Sequence, residues 1–396
     1  MHADFDALVI GGGPAGSAAA LLLAQAGWKV ALFEKQRFPR RKVCGEFLSA
    51  TNQPLLERLG VAEVLSAERG PPVTDVGVCA GRDLIVAPLP GNRQGYAIRR
   101  EVLDAVLLDR ARALGAKIFQ PVLLTELQKT NAGYLGRGHF VDSREAFEVS
   151  AALCIAAHGS WESGGLPSQL PRVAPKGSDL LGFKAHLMNS GLPDGLMPLL
   201  AFPDGYGGLV RIEGGRVSLS CCVQRSRLEK LNRSADGSAG AAVFAHILET
   251  CPAARPFLDC AREDGGWLAI GPIRPGVRCS ASRGLFKVGN AAGEAHPAIA
   301  EGISIALQSA YFLTQRLLAL SMAQLAAHDF TQAEKLYAQD FRRHFGLRIR
   351  SSALIARLAM APRAAGAIAE LLKLRPSLLT WGAQLAGKSK QIAALS

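Results

Sequence analysis

Residues 6–34, DALVIGGGPAGSAAALLLAQAGWKVALFE, constrain this 396-residue chain more than any other stretch. A short apolar run, Ala7 to Ile10, ends in Gly11-x-Gly13-x-x-Gly16 and passes into an Ala/Leu-rich segment. That segment breaks at Gly27, and a second apolar run, Lys29 to Phe33, leads to Glu34. The order predicts strand, glycine turn, helix, strand and acid. Gly11 permits a sharp turn off the strand, Gly13 has no side chain to block a pyrophosphate, and Gly16 lets the helix approach the sheet. The helix opened by Pro14 and Ala15 presents free amides and the positive end of its dipole to the phosphates. Glu34 follows about 20 residues after the turn, where a carboxylate accepts hydrogen bonds from an adenosine ribose, and Lys35 continues that edge of the site. An ordinary glycine-rich turn would leave Glu34 unexplained. Taken alone, the stretch implies an adenine dinucleotide, either NAD or FAD.

The rest of the composition narrows the class. With 49% hydrophobic and 20% charged residues the chain reads as globular, long enough for two domains. Its start, MHADFD, lacks a basic leader, and Arg357, Arg363 and Lys373 interrupt the most apolar C-terminal segment. A cytoplasmic protein with no transmembrane segment is expected. The eight cysteines show no paired C-x-x-C spacing, so they read as reduced core thiols and no metal site is expected. The net charge of +12 is spread along the chain without a nucleic-acid motif, so no nucleic-acid partner is expected.

Further along, Phe38-Pro39 with Arg40, Arg41 and Lys42 suggests an exposed basic loop, which continues as Lys42-x-Cys44-Gly45-Glu46. Arg100-x-x-Leu103-Asp104 opens a helical pattern, and a strand-to-loop segment ends Ala157-His158-Gly159. Residues 181–223 alternate apolar and polar side chains, as in GFKAHLM, and Gly214-Gly215 reads as a two-residue hairpin turn. Pro203-x-x-Tyr206 precedes that turn. Near the other end a short strand runs into Gly289-Asn290, then Pro297, Glu301, Gly302 and Ile303 open a long apolar helix.

Together these segments resemble the FAD-dependent oxidoreductases that share the fold of para-hydroxybenzoate hydroxylase, in particular the geranylgeranyl reductase-like and flavoprotein monooxygenase branch. The resemblance spans residues 6 to about 320. It implies an α/β fold: a Rossmann-type FAD-binding domain with an inserted antiparallel substrate sheet and C-terminal helices, in the glutathione reductase and hydroxylase manner. The expected division is residues 1–165 for the first part of the FAD domain, with a small strand excursion near 71–95, and 166–270 for the substrate sheet. Residues 271–325 return to the FAD domain and 326–396 form a helical region. FAD, rather than NAD, follows because the second glycine anchor supplies a ribityl-chain segment that an NAD enzyme does not need.

The resemblance also assigns roles. Lys42, Cys44 and Gly45 fall close to the flavin, Arg100 reaches FAD, and Gly159, Gly289, Asn290, Pro297, Gly302 and Ile303 complete the cofactor site. Asn290 stands where the family has an aspartate and Ala300 where a glycine is usual. Cys44, Tyr206 and His296 are the candidates for catalysis, His296 because an imidazole titrates near neutral pH. His158 replaces the aspartate of an Ala-Asp-Gly motif tied to nicotinamide use, which leaves NADH, NADPH or another external reductant open. Gly208 and Val210-Arg211 replace the rest of a prenyl-binding motif.

Three functions follow. One is a monooxygenase that hydroxylates an aromatic or polyketide-like hydrophobic molecule, free or bound to a carrier protein. A second is a reductase of carbon-carbon double bonds in an isoprenoid-like substrate, and a third is a flavoprotein that modifies, or exchanges electrons with, a protein partner. The basic stretch FRRHFGLRIR and the apolar tail after it suit either a packed helix or contact with a membrane surface or acidic carrier.

Overall fold

The computed structural model describes residues 3–160, 164–231, 237–279 and 281–388. The opening strand, Phe5–Ile10, pairs in parallel with Val30–Phe33 on one side and with Ala146–Ala156 on the other. Lys117–Phe119 extends the sheet beyond Val30–Phe33, and Leu285–Lys287 closes it beside Ala146–Ala156. Parallel strands are covered on both faces, which is why these runs are apolar without alternation: Ala7, Leu8, Val9 and Ile155 are fully buried. The first half of Ala146–Ala156 instead pairs antiparallel with Gly133–Phe140, itself paired with Val122–Thr130. The chain thus has the α/β fold expected of it, and its Rossmann-type sheet draws a strand from each end of the sequence.

Three helices cover one face of this sheet: Pro14–Gln25, Arg100–Ala113 and Gly302–Leu318. The first has proline in its opening turn and only Pro, Gly, Ala, Ser and Leu through Ala24, all buried, so it packs all round rather than along one stripe. Its approach to the sheet depends on Gly16, where an added Cβ would stand 1.9 Å from the Gly11 carbonyl oxygen.

The second sheet is larger than the sequence suggests. Its order is Arg262–Ile273, Leu180–Met188, Val217–Gln224, Gly205–Arg211, Leu196–Phe202, Asp75–Ala80, Asp83–Pro88. The excursion near 71–95 is therefore the far edge of this sheet, joined through parallel pairing of Asp75–Ala80 with Leu196–Phe202. The turn after Gly205–Arg211 is also wider than two residues: Glu213–Gly215 form a 3₁₀ turn, closed by Ile212 N donating to Arg216 O at 2.9 Å. Gly214 and Gly215 both take positive φ, 69° and 72°, as that turn requires.

The C-terminal region packs across this sheet. Thr331–Met360 is a single long helix, and Pro362–Leu374 and Ser377–Ala383 follow, each started by a break at a proline. Ala356, Ala359, Ala369 and Leu372 join Ala80, Ile85, Ala201 and Ile273 in one buried cluster. The expected helical pattern to the chain end passes, at 389–396, outside the described residues. No helix among the described residues is long and apolar enough to cross a membrane.

Candidate functional site

Both anchors, the loop after Glu34, the second sheet and the C-terminal helices converge on one cavity of about 710 Å³. Gly11, Gly13, Pro14 and Ala15 floor one end. Glu34, Lys35, Lys42, Cys44, Gly45, Arg100 and Gly159 surround it, and Gly289, Asn290, Pro297, Gly302 and Ile303 close it from the other anchor. Gly16 does not reach the cavity, because its place is the contact between helix and sheet.

The turn is built as an adenine dinucleotide needs. At Gly13 an added Cβ would meet nothing nearer than Arg100 Nη2, at 3.9 Å, while Gly159 and Gly302 have nothing within 4 Å. Glu34 is buried and holds the turn itself: Gly12 N donates to one of its carboxylate oxygens and Gln36 N to the other, both at 2.9 Å. Each oxygen has a second lone pair for a ribose hydroxyl.

Opposite the glycines lies a set of cations. The basic loop was expected to be exposed, yet Arg40 turns inward to Glu34 at 3.6 Å and Asp104 at 3.7 Å, its side chain only 10% exposed. Buried carboxylates outcompete water there. Arg100 grips Asp104 through two hydrogen bonds of 2.7 Å. Burial opposes the Arg100 charge, but Asp104 and Cys44 more than offset it and raise its pKa. Burial, with Arg40 and Arg100 nearby, pulls the Lys42 ammonium down to about 8. Crowded cations around a glycine floor suit a pyrophosphate, and the residues fit FAD.

The flavin end is set by the second anchor. Asn290 Nδ2 donates to Glu294 Oε1 at 3.2 Å, which leaves the amide oxygen as the end that accepts from a ribityl hydroxyl. Glu294 is itself buried and accepts from Ser160 Oγ at 2.7 Å and Arg274 N at 3.1 Å. Just before the helix Gly302–Leu318, Ala300 adopts φ 50° and ψ 44° in the left-handed region that disfavours a Cβ. Ala300→Gly should therefore raise stability by about 0.5–1 kcal/mol, seen as a higher urea midpoint at unchanged slope.

The three catalytic candidates take different positions. Cys44 lines the cavity, its Sγ accepting from Glu46 N at 3.3 Å and within reach of the Arg100 guanidinium. Tyr206 also lines it, and its hydroxyl makes a 3.2 Å hydrogen bond with His296 Nδ1. Burial, then the neighbouring Cys222, lifts the Tyr206 pKa well above the usual phenol range. His296 lies behind Tyr206 and outside the cavity lining. Burial, then the charge of Arg357, lowers its pKa from 6.5 to about 4. The native state thus favours the neutral ring, so its contribution to stability is whole above pH 6.5 and is lost as pH falls from 6.5 through 4. His296→Gln should flatten that part of the melting-temperature profile; an unchanged profile would assign it to another group.

Sequence reasoning missed the group that fixes the Cys44 loop. Glu46, at φ 59°, is buried beneath the loop and accepts from Arg100 N at 3.0 Å, from His186 Nε2 at 2.9 Å and from Lys184 Nζ. Burial alone would push its carboxyl up, but the His186 hydrogen bond and the Lys184 charge outweigh it and hold the pKa at about 2. The alternation in GFKAHLM marks a strand but does not say what Lys184 and His186 meet. The two share one face of Leu180–Met188, and that face is buried because Glu46 receives both. Their spacing of two was the available signal. Lys388 was also missed: it is buried, bonds Ile299 O at 3.1 Å and Glu301 at 3.2 Å, and borders the cavity. No cluster that could hold a metal occurs among the described residues.

The glycine cradle, its acid and its cations define an FAD site, and residues 4–164 match the family described as FAD binding domain. That match covers the first part of the chain, which there resembles the FAD-dependent oxidoreductases. It is 31% identical over 183 residues to the 1H-pyrrole-2-carbonyl-[peptidyl-carrier protein] chlorinase of Pseudomonas fluorescens, a match covering 39% of each chain. It is 26% identical over 382 residues to the menaquinone reductase of Mycolicibacterium smegmatis, covering 90% of this chain and 85% of that protein. The solved flavin-dependent brominase Bmp2 shares the fold, with a TM-score of 0.75 at 17% identity over 98% of this chain and 95% of the other.

Proposed function

We propose that the protein is an FAD-dependent monooxygenase that hydroxylates a hydrophobic, aromatic-headed molecule bearing a long apolar tail. One observation carries this reading: beyond the two glycine anchors the cavity is also lined by residues of the second sheet and the C-terminal helices. Its wall there is Met197, Leu199, Ile270, Ile355, Ile368 and Leu379, with Val76 and Val78 from the sheet edge. Such a chamber binds apolar groups and sheds water.

FAD, when bound and reduced by an external nicotinamide, would supply the two electrons by which one atom of dioxygen enters the substrate and the other leaves as water. The chain's own residues hold it and shape the chamber. Arg40, Lys42 and Arg100 would neutralise the pyrophosphate, Glu34 the ribose hydroxyls, and Asn290 the ribityl chain. The apolar wall positions substrate and excludes water, which oxygen transfer requires. Double-bond reduction instead needs an acid aimed at the substrate. The Tyr206 hydroxyl is engaged by His296, and His296 itself lies outside the cavity lining, which favours oxygenation.

Cys44 gives the second reading its footing. Its thiol faces the cavity beside Arg100, and the menaquinone reductase resembles this chain along most of its length. Under that reading Cys44 donates a proton to a reduced isoprenoid-like substrate. The chlorinase named above adds two features to test, a carrier-bound substrate and halide use. NADH or NADPH is the expected external reductant, and the free thiols suit a reducing compartment such as the cytoplasm.

Graded substrates test the proposal. For resorcinol-type aromatics of increasing alkyl length, binding should tighten by roughly 0.8 kcal/mol per methylene until the chamber is full. Ala365→Phe should shorten the best-bound tail. Affinity independent of tail length would rule out a tail-binding chamber, and reduction of alkenes lost in Cys44→Ser would favour the second reading.

A further inference from the structure

The C-terminal helices have two faces. Their inner sides wall the cavity and pack on the second sheet. Their outer sides leave unusually many large apolar groups in water: Leu347 and Leu354 are 66% and 60% exposed, Leu371 and Leu374 52% and 81%, and Trp381 58%. On the helix Thr331–Met360 the exposed residues Arg343, Leu347, Arg350, Leu354 and Arg357 recur every three or four positions, which makes a single stripe of alternating arginine and leucine. Leu378, Trp381 and Leu385 form a second stripe at the same spacing.

Charge follows the same surface. Residues 342–388 contain seven arginines and two lysines against one carboxylate, Glu370. Arg348 and Lys388 are buried and Lys373 pairs with Asp83 and Glu370, while Arg343, Arg350 and Arg357 alternate with the exposed leucines. So many exposed apolar side chains beside cations are poorly suited to water alone. Leucines and a tryptophan seat in the boundary between headgroups and acyl chains, while arginines meet lipid phosphates. One residue ties this surface to the cavity: Leu378 lines the cavity and is also 36% exposed.

We propose that the outer face of these helices docks on an anionic lipid bilayer, so that the cavity opens toward the membrane beside Leu378 and takes an apolar-tailed substrate from it. The docking stands on the surface alone; only the last step rests on the tail-binding reading. An acidic carrier protein would satisfy the arginines but would leave the two leucine stripes uncovered.

The test uses the full-length FAD-loaded protein without substrate, sedimented with vesicles of phosphatidylcholine alone or with about one third phosphatidylglycerol. Binding to the anionic vesicles is expected to exceed binding to the neutral ones roughly tenfold or more, and to weaken similarly in high salt. Leu374→Glu with Trp381→Glu should abolish binding while bound FAD and the melting temperature stay unchanged, and Arg343→Glu with Arg350→Glu should remove the preference for anionic lipid. Failure of the wild type to bind anionic vesicles, or equal binding by both double variants, overturns the proposal. So does tight binding to an acidic carrier protein by a chain that ignores vesicles. Vesicle binding together with a failed tail-length series would leave the docking surface standing and remove the substrate reading.

Discussion

Glu46→Ala is expected to lower the unfolding free energy by about 3–5 kcal/mol, the range for breaking a buried ion pair from one side. The substitution strands Lys184, which is fully buried, and removes the acceptor of His186 Nε2 and Arg100 N. Urea unfolding measures the loss. The loop bearing Lys42 and Cys44 should loosen as well, so FAD should dissociate more readily. A control separates charge from packing: Glu46→Leu with Lys184→Met and His186→Leu should recover most of the stability, because an apolar replacement of the whole group leaves no charge uncompensated. The pH dependence has a defined sign. Glu46 has its carboxyl lowered from 4.5 to about 2, so its contribution is whole above pH 4.5 and is lost as pH falls from there through 2. A single Ala variant within about 0.5 kcal/mol of wild type would show that the group does not hold the loop.

Gly13→Val should abolish cofactor binding without unfolding the chain. Gly13 has φ −72° and ψ −178°, a backbone any residue adopts, and its added Cβ would meet only Arg100 at 3.9 Å. The space filled is the one the glycine turn would leave for a pyrophosphate. FAD affinity is expected to fall roughly 100-fold or further, equivalent to about 2.7 kcal/mol or more of steric conflict. The variant should purify colourless with a melting temperature equal to that of wild-type protein stripped of FAD. Gly11→Val and Gly16→Val would not be informative in this way. Gly11 has φ 106° with its Cβ position 2.7 Å from Ala157 O, and Gly16 is packed on Gly11, so both report on folding. A fully yellow Gly13→Val protein would refute the cradle.

Much of this site is legible in the sequence because backbone geometry restricts residue choice. Gly11, Gly13 and Gly16 differ in what each lacks a side chain for, and Glu34 follows at the distance set by a helix and a strand. The second anchor is legible for the same reason, through Gly289, Pro297 and Gly302. What the sequence hides are long-range partners of ionic groups. Lys184 and Glu46 are 138 positions apart, and alternation assigns a lysine on a strand to water unless its carboxylate is known. The edge pair Asp75–Ala80 and Asp83–Pro88 is hidden similarly, since nothing local says which sheet a short strand joins. The C-terminal helices are the largest surprise. An amphipathic pattern shows that a helix has two faces, but not that one walls a cavity and the other carries leucines into solvent.

The proposed site joins an FAD cradle to an apolar chamber suited to oxygen transfer. Its most direct test is stopped-flow reoxidation of the anaerobically reduced, FAD-loaded protein on mixing with dioxygen, with hydrogen peroxide measured at the end. Reoxidation is expected in more than one phase, with a peroxide yield that falls as a long-tailed aromatic substrate takes up one oxygen atom. Single-phase reoxidation with one peroxide per flavin for every such substrate, together with anaerobic oxidation of the flavin by an isoprenoid alkene, would contradict it.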